Sequence, residues 1–398
     1  MNRSLVLNLI KSQGPVSRTT IADLSELSLA TVSSIVADLI ESGLVEEVGV
    51  GESTGGRKPV LLVLNPRAGF VVGLKLMEHA ITSAVTDLDA TVLHHRITPL
   101  RGRHEPTAVI PIIIRAIEQT LQNSQVERTR VLGIGIGMPG VVNGETGVCR
   151  YSPFFQWRDV NIAEPIEAHF GLPVYLDNDV NTLTIAEQWF GYGHGVDHFV
   201  VVTVGRGIGA GIVVNGQFYR GAIGGAGELG HIAVTEDGPL CACGKRGCLE
   251  AVAADPAVLR LVREAIAAGR RTTLPAGPEL DIEMVSRAAA AGDDLAREVL
   301  AQTGRAFGRG IASLINILNP HLVIVGGEGV RAGPWRLEPM TQAIREHAFN
   351  GLADELQIVI EPAGDETWAR GAAAVVLGEI FKSPIHRTES LSLVGAKT

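Results

Sequence analysis

Basic residues are too few in this sequence to give the whole chain a positively charged surface. The 398 residues contain 34 lysines and arginines against 43 aspartates and glutamates, for a formal net charge of -9. This balance excludes general electrostatic binding to nucleic acid, although a local basic surface remains compatible with it. Cysteine is also scarce, with four residues in all, so a cluster of three within CACGKRGC requires an explanation.

Long apolar runs are missing from the start of the chain. Residues 1–14 are amphipathic and are interrupted by Lys11 and Gly14, so they indicate neither a signal peptide nor a membrane span. We therefore expect a cytoplasmic protein with no membrane partner. With 46% hydrophobic residues and 47 glycines, the chain can bury a large core, and its length predicts two or three domains.

The cysteine cluster has the spacing of a metal site. Its members are Cys241, Cys243 and Cys248. In a reducing compartment, clustered cysteines are more often metal ligands than disulfide partners, and Gly244 and Gly247 allow the reversals that aim three sulfurs at one point. A tetrahedral zinc ion needs a fourth ligand, and His231 lies just upstream. The sequence predicts a structural Cys3His zinc site; the alternative is a loop of free thiols beside a hydrogen-bonded histidine.

The N-terminal stretch has the pattern of three short helices followed by a hairpin. Apolar residues recur every three to four positions, and Ser17 and Ser28 have the positions of N-caps for the second and third helices. Gly43 ends the third helix, and two β-rich stretches follow, LVEEVGVG and RKPVLLVLN. This order predicts a winged helix-turn-helix DNA-binding domain over residues 1–68.

In such a domain the third helix enters the major groove by its N-terminal half, and the wing approaches phosphates or a minor groove. The residues predicted to contact operator DNA are Ser17, Arg18, Ala30, Thr31, Ser33, Ser34, Arg57 and Lys58. Residues 1–67 carry six bases and seven acids, so a basic surface must come from uneven placement, such as Arg3, Lys11 and Arg18 preceding every acid. The alternative is a helical module for oligomerisation or protein docking.

From Phe70 onward the pattern becomes that of an α/β protein. Strand-like runs such as GFVVGLKL, RVLGIGIG and HFVVVTVG alternate with helical runs such as PTAVIPIIIRAIEQTLQ. Several strands end in glycine-rich turns, among them GIGIGMPG, GRGIGAG and GGEGV, and open α/β sheets place ligands at such strand ends. Glycine alternation also marks tight packing of strands, so by itself it identifies no ligand.

Four motifs occur together in this part of the chain: LDNDVN, GRGIGAG, GELGH followed by CACGKRGCLE, and NPHLVIVGG. This combination resembles the ROK family, whose name joins repressors, uncharacterised reading frames and sugar kinases. The resemblance covers residues from about 70 to 381. It implies an actin-like (ribonuclease H-like) pair of α/β lobes, the first over residues 69–185 and the second, with the zinc loop, over residues 186–365. A helix near residues 366–381 would return to the first lobe, and residues 382–398 are expected to form a flexible tail.

The same resemblance implies a sugar site in the cleft between the lobes. The residues that match the family's hydroxyl-binding positions are Asn178, Asp179, Glu228, His231 and Glu250. In the family's kinases the residue matching Asp179 is the general base, and carboxylates and an amide suit adjacent sugar hydroxyls. With one ring nitrogen on zinc, His231 would present the other to the sugar. The alternatives are that Asp177 or Asp179 only caps a helix and that Glu228 is a solvated turn residue.

One stretch departs from the kinase pattern. Kinases of the family have a strand ending in DxGGT, whose aspartate serves the metal–phosphate cluster and whose glycines let backbone NH groups approach phosphate. The residues at the aspartate, the two glycines and the threonine are here Lys75, Met77, Glu78 and His79. We therefore expect no enzyme activity. The sequence predicts a sugar-responsive repressor, a homodimer or homotetramer released from operator DNA by a monosaccharide. The alternatives are a sugar kinase with a divergent phosphate loop and a sugar-sensing module that docks onto another protein.

Overall fold

The computed structural model of the chain describes residues 2–51, 58–102, 104–362 and 364–381. Within these ranges the chain forms a small N-terminal unit followed by two units that are each built on a five-stranded sheet. No single helix there has the length and apolar composition needed to cross a membrane, although the bent pair Arg18–Ser25 and Leu29–Glu41 reaches both when taken together.

The N-terminal unit consists of three helices and a three-stranded antiparallel sheet. Its elements are α1 (Asn2–Gln13), β1 (Val16–Ser17), α2 (Arg18–Ser25), α3 (Leu29–Glu41), β2 (Val45–Val50) and β3 (Val60–Leu64), with strand order β1-β3-β2. Ser17 Oγ accepts a hydrogen bond from Thr20 N at 3.1 Å, and Ser28 Oγ accepts one from Thr31 N at the same distance. Both predicted helix caps are thereby confirmed.

The first lobe is built on a sheet with strand order β11-β7-β4-β5-β6. Its elements are β4 (Phe70–Leu76), β5 (Ala80–Thr86), β6 (Val92–Pro99), α4 (Pro106–Ser124), β7 (Val131–Met138), β8 (Val141–Asn143), β9 (Val148–Ser152), β10 (Trp157–Asn161), α5 (Ala163–Phe170) and β11 (Val174–Asn178). Strand β4 is buried along its full length, as expected for a nearly continuous apolar run covered on both faces. Strands β8 to β10 form a small separate sheet.

The second lobe repeats this topology, with strand order β14-β13-β12-β15-β16. It follows α6 (Asp179–Phe190), and its elements are β12 (Phe199–Val204), β13 (Ile208–Val214), β14 (Gln217–Tyr219), α7 (Leu249–Ala253), α8 (Asp255–Ala267), α9 (Ile282–Ala290), α10 (Asp294–Leu318), β15 (Leu322–Gly326), α11 (Pro334–His347) and β16 (Gln357–Ile360). In each sheet three strands pair antiparallel and two more pair parallel, so β4 and β12 have equivalent positions, as do β7 and β15.

The last described helix, α12 (Asp365–Phe381), packs on the first sheet and on α6. A side chain at Gly73 would collide with Ala369 O, and one at Gly135 would collide with Ala372 O, so the backbone of α12 rests directly on β4 and β7. The predicted division between the lobes, after residue 185, falls within α6. The predicted flexible tail, residues 382–398, lies outside the described residues.

Candidate functional site

Four side chains in the second lobe form a group that could hold a metal ion. The candidate ligand atoms of His231, Cys241, Cys243 and Cys248 all lie within 4.8 Å of one another. The Cys243 and Cys248 sulfurs are 3.6 Å apart, and Cys241 Sγ lies 3.5 Å from His231 Nδ1. Zinc–sulfur bonds of about 2.3 Å in a tetrahedron place two sulfurs about 3.8 Å apart. The donor set and its spacing therefore fit the predicted zinc ion.

The local backbone explains why these sulfurs converge. Gly247 has φ +70°, and a side chain there would collide with Thr235 O, so only glycine fits the turn before Cys248. Lys245 Nζ donates a hydrogen bond to His231 O at 2.9 Å and ties the loop to the histidine segment. Burial raises the pKa of the Cys241 thiol to about 12, so its thiolate requires a nearby cation at neutral pH.

The LDNDVN stretch forms the start of α6. Asn178 is its N-cap: the side-chain Oδ1 accepts hydrogen bonds from Val180 N at 2.8 Å and Asn181 N at 3.3 Å, and Nδ2 donates to Gly140 O at 3.0 Å. The alternative that Asp177 or Asp179 serves only as the cap of this helix is wrong, because the side-chain amide of Asn178 has that role. One N–H of Asn178 remains for a ligand.

Asp177 has a structural role next to the cap. Its carboxylate is buried, lies 2.8 Å from the Arg220 guanidinium and accepts a hydrogen bond from Asn181 Nδ2 at 2.7 Å. These partners use the acceptor capacity of Asp177. The carboxylate of Asp179 is thus the one in LDNDVN with most capacity left for a ligand.

The predicted sugar-binding carboxylates lie together beside the metal group. Burial raises the pKa of Glu228, His231 partly offsets this, and the carboxylates of Glu250 and Asp179 raise it further. His231 turns Nδ1 toward Cys241, and its Nε2 is 3.7 Å from Glu228 Oε2. One ring nitrogen therefore faces the metal group, while the other faces the carboxylates.

Glu250 connects this cluster to the glycine-rich turn between β12 and β13. Its Oε2 accepts a hydrogen bond from Ile208 N at 3.1 Å, and its Oε1 is 4.0 Å from Cys241 Sγ. A Cβ on Gly207 would lie 2.7 Å from Glu250 Oε2, so glycine permits the close approach of the carboxylate. In this structure the GRGIGAG turn packs against a side chain of the cleft.

A buried lysine occupies the end of β4, where the sequence lacks the kinase aspartate. Lys75 Nζ lies 3.7 Å from Asp179 Oδ2, 3.4 Å from Glu328 Oε1 and 3.4 Å from the centroid of the Trp368 ring. Burial raises the pKa of Asp179, and the ammonium group of Lys75 opposes this effect. The cleft thus supplies its own cation for Asp179.

Glu328 and Trp368 are site residues that the sequence analysis missed. Glu328 lies in the GGEGV turn at the carboxyl end of β15, just as Lys75 lies next to the carboxyl end of β4, and both strands have a parallel neighbour. That equivalence was the available signal, because carboxyl ends of parallel strands gather ligand-binding groups. Trp368 carried no comparable signal, since its position depends on the return of α12 to the first lobe.

The two lobes are also joined by an exposed ion pair. Arg206 of the GRGIGAG turn lies 2.9 Å from Glu78 through Nη2, and its Nε donates to the same Glu78 oxygen at 3.1 Å. Glu78 stands where a glycine of DxGGT is expected to approach phosphate. Both residues of this pair therefore fill space next to Lys75 with side chains.

Part of the predicted DNA-contact set lies on the exposed side of α3. Ala30 and Ser34 are exposed, whereas Thr31 and Ser33 are half-buried. The Thr31 hydroxyl is also hydrogen-bonded to Ser28 Oγ at 2.8 Å. The small side chains of this face leave the helix backbone accessible for close approach to a partner.

The remaining predicted contacts differ in availability. Ser17 is 7% exposed and its hydroxyl caps α2, while Arg18 Nη2 lies 2.8 Å from Glu47 Oε1 of β2. Lys58 is exposed just before β3. Arg57 lies outside the described residues.

The fold and site have well-matched relatives. The chain is 31% identical over 387 residues to the xylose repressor of Caldicellulosiruptor bescii, covering 96% of this chain and 97% of that protein. It is 34% identical over 376 residues to the DNA-binding transcriptional dual regulator NagC of Escherichia coli strain K12, covering 94% and 92% respectively. Both of these proteins, which the chain matches over more than nine-tenths of their length, are named as transcriptional regulators.

Solved structures agree with this grouping. A ROK family transcriptional regulator, a homolog of the E. coli MLC protein, is similar with a TM-score of 0.85 at 32% identity over 96% of each chain. A ROK family glucokinase from Streptomyces griseus, in complex with glucose and AMPPNP, has a TM-score of 0.69 at 27% identity over 77% of this chain and 99% of its own. The predicted two-lobe, actin-like ROK fold is confirmed. Since the ROK family profile matches residues 71–379, the chain belongs to the ROK family.

Proposed function

We propose that this protein is a transcriptional repressor whose affinity for operator DNA is controlled by a monosaccharide bound in the cleft. The observation that carries this proposal is the extent of the similarity. The match to the ROK transcriptional regulator covers 96% of this chain and therefore includes the N-terminal unit, whereas the glucokinase match covers 77%. A DNA-binding function accounts for the additional unit, and a kinase function does not.

The N-terminal unit is the DNA-binding part of this proposal. Its order of three helices and a hairpin suits a winged helix-turn-helix, with α3 as the recognition helix in the major groove. Ala30 and Ser34 would lie against base edges, while Lys58 and Arg57 would meet phosphates at the wing. Such units bind paired half-sites, so we infer a homodimer or homotetramer acting in the cytoplasm, where the operator is.

The cleft is the effector site. Asp179, Glu228 and Glu250 supply paired acceptors, and the free N–H of Asn178 supplies a donor, which suits the adjacent hydroxyls of a monosaccharide. A zinc ion on His231 and the three cysteines would fix the imidazole ring and its tautomer. A sugar that contacts residues of both lobes favours their closed arrangement, and lobe orientation would set the spacing of the two DNA-binding units.

The function is tested with a sugar screen and an operator titration. Xylose, glucose and N-acetylglucosamine are tested for a rise in melting temperature without nucleotide, because a ligand of the native state must raise it. DNA flanking the protein's own gene is then titrated with the protein, with and without the stabilising sugar. Sugar-dependent release supports the proposal. DNA binding without any sugar effect, or no DNA binding at all, contradicts it.

The purified protein should show no sugar-dependent ATP consumption. The Lys75 ammonium group occupies the position of the metal-serving aspartate and is held by Asp179 and Glu328, while Glu78 would repel phosphate. A coupled ATPase assay over the same sugars measures this. The triple variant Lys75→Asp, Met77→Gly and Glu78→Gly should gain nucleotide binding. Robust sugar phosphorylation by the unaltered protein would favour the kinase alternative.

Lys58→Ala should weaken operator binding and reduce its salt dependence by about one unit of log–log slope, because one phosphate contact is lost. Sugar affinity in the DNA-free protein should stay unchanged. Anisotropy titrations at several salt concentrations measure both slopes. The control is Arg67→Ala, which removes an exposed base that follows β3 on the side of the first lobe. If the slope for Lys58→Ala equals that of the parent, Lys58 makes no phosphate contact and the wing is not part of the DNA interface.

A further inference from the structure

Lys11 has an unusual environment for a lysine on an amphipathic helix. Its Nζ is buried and has no hydrogen-bond partner among the described residues. The nitrogen lies 4.2 Å from the centroid of the Trp189 ring, 4.3 Å from Phe190 and 4.1 Å from Phe381. Three ring faces thus replace water around the ammonium group. Lys11 therefore cannot serve as the phosphate contact that its place among the early basic residues suggested.

The rings of this cage come from the two helices that carry the cleft residues. Trp189 and Phe190 end α6, whose first residue is Asp179, and Phe381 ends α12, whose first turns carry Trp368. At the cleft, Asp179 and Trp368 both contact Lys75, the former 3.7 Å from Nζ. A 12-residue helix spans about 18 Å. The pair α6 and α12 therefore connects the candidate sugar site to the N-terminal unit.

These two helices are packed closely enough to act as one body. A Cβ on Gly371 of α12 would lie 3.2 Å from the backbone of Thr182 and Leu183 in α6. Further along, Ile185 and Ala186 share an apolar cluster with residues of α12. Well-packed interfaces of this kind shift as units instead of deforming continuously. A displacement of the cleft ends of α6 and α12 would therefore also move their aromatic ends.

Apolar packing surrounds the cage and completes the contact between units. Val6, Leu7 and Ile10 of α1 lie in one buried cluster with Leu377 and Phe381 of α12. Burial lowers the pKa of Lys11 to about 7, and the carboxylate of Asp89 in the neighbouring turn partly offsets this. The ammonium group is thus held in place mainly by the three rings and by the packing of the aliphatic part of the Lys11 side chain.

We propose that Lys11 in its cage of Trp189, Phe190 and Phe381 is the joint through which sugar occupancy of the cleft controls the N-terminal unit. Lys11 is a positioning residue: it touches neither sugar nor DNA, and it fixes α1 to the ends of α6 and α12. The inference rests on the proposed repressor function. The quantity to measure is the coupling free energy between sugar and operator DNA. It can change while the affinity for either ligand alone stays the same.

The test compares Lys11→Glu with the parent protein. A carboxylate is repelled by the negative ring faces, so α1 should detach from the helix ends. Sugar affinity without DNA should change by no more than about twofold, because the two sites are distant. The ratio of operator affinities without and with sugar, about 5- to 150-fold for a typical allosteric protein, should fall to about one. The probes are the operator fragment and whichever of xylose, glucose and N-acetylglucosamine stabilises the parent.

Lys11→Met is the matched control. The methionine side chain packs as the aliphatic part of Lys11 does, and its thioether makes favourable contacts with aromatic rings. Coupling between sugar and operator binding should therefore be retained. Trp189→Ala opens the same cage from the α6 side and should lose coupling as Lys11→Glu does. This second variant tests the proposal even if Lys11→Glu does not fold. The proposal for Lys11 is wrong if Trp189→Ala or folded Lys11→Glu keeps full coupling. It is also wrong if Lys11→Met loses coupling. A parent protein without any coupling contradicts the proposed function instead.

Discussion

Cys248→Ala should leave the purified protein without bound zinc and without a response to sugar. The substitution removes one of the four candidate ligands of a site whose occupancy is coupled to local folding, and structural zinc sites of this kind are worth about 10–16 kcal/mol. The loop from Cys241 to Cys248 would then no longer hold His231 and Glu250 in position. Because both residues belong to the proposed sugar site, the sugar-dependent rise in melting temperature should disappear.

The chain supplies a matched control for this prediction. Cys149 is as fully buried as Cys248 but lies in β9, outside the metal group. Cys149→Ala removes the same atoms from a core position, so its packing cost is comparable. Elemental analysis after dialysis should find one zinc ion per chain in the parent and in Cys149→Ala. Zinc retained by Cys248→Ala, or missing from the parent, would refute the site.

The features predicted correctly from the sequence are those set by local spacing. The three cysteine sulfurs of the candidate metal group converge because two glycines shape a loop of eight residues, and the caps at Ser17 and Ser28 each depend on an amide three residues away. The strand β4 was evident from its continuous apolar run, which burial on both faces explains. In each case the determining contacts lie within a few residues, where chain geometry leaves few alternatives.

The features that the sequence could not reveal depend on distant contacts. Lys75 and Glu328 are 253 residues apart on different sheets, and only the packing of the two lobes against each other brings them together. Lys11 has the sequence pattern of a solvated or DNA-facing base, and its burial results from two helices far along the chain. The sequence also did not single out Asn178 as the cap of α6, because adjacent polar residues in LDNDVN all suit an N-cap.

These distant contacts bear directly on function. Lys75, at the position predicted to match the kinase aspartate, pairs with Asp179, so the residue predicted to match the kinase base is part of an ion pair. The Arg206–Glu78 pair spans the lobes beside it. Both pairs leave the proposed sugar-binding carboxylates of Glu228 and Glu250 in place. We propose that the cleft keeps its sugar-binding groups, while side chains stand where the kinase pattern has phosphate-binding glycines.

Glu250→Gln should separate sugar response from DNA binding. The change keeps the side-chain shape but turns one of two acceptor oxygens into a donor, so either the Ile208 N–H or a sugar hydroxyl loses its acceptor. Glu250 is half-buried, and once a bound sugar covers it, a mismatched group costs roughly 1–3 kcal/mol. Release from the operator should then require about ten- to a hundredfold more sugar. Operator affinity without sugar should equal that of the parent, since no residue of the N-terminal unit changes.

The measurement is a sugar titration of the protein bound to labelled operator, with calorimetry of sugar binding to the free protein. Glu264→Gln is the control, because it makes the same chemical change in an exposed pair with Arg260, where the expected cost is at most about 1 kcal/mol. It should behave as the parent in both experiments. If Glu250→Gln is released at the parent's sugar concentration, Glu250 does not bind the sugar. If Glu250→Gln instead loses operator binding without sugar, the carboxylate supports the DNA-bound conformation, and the assignment of separate sugar and DNA surfaces is wrong.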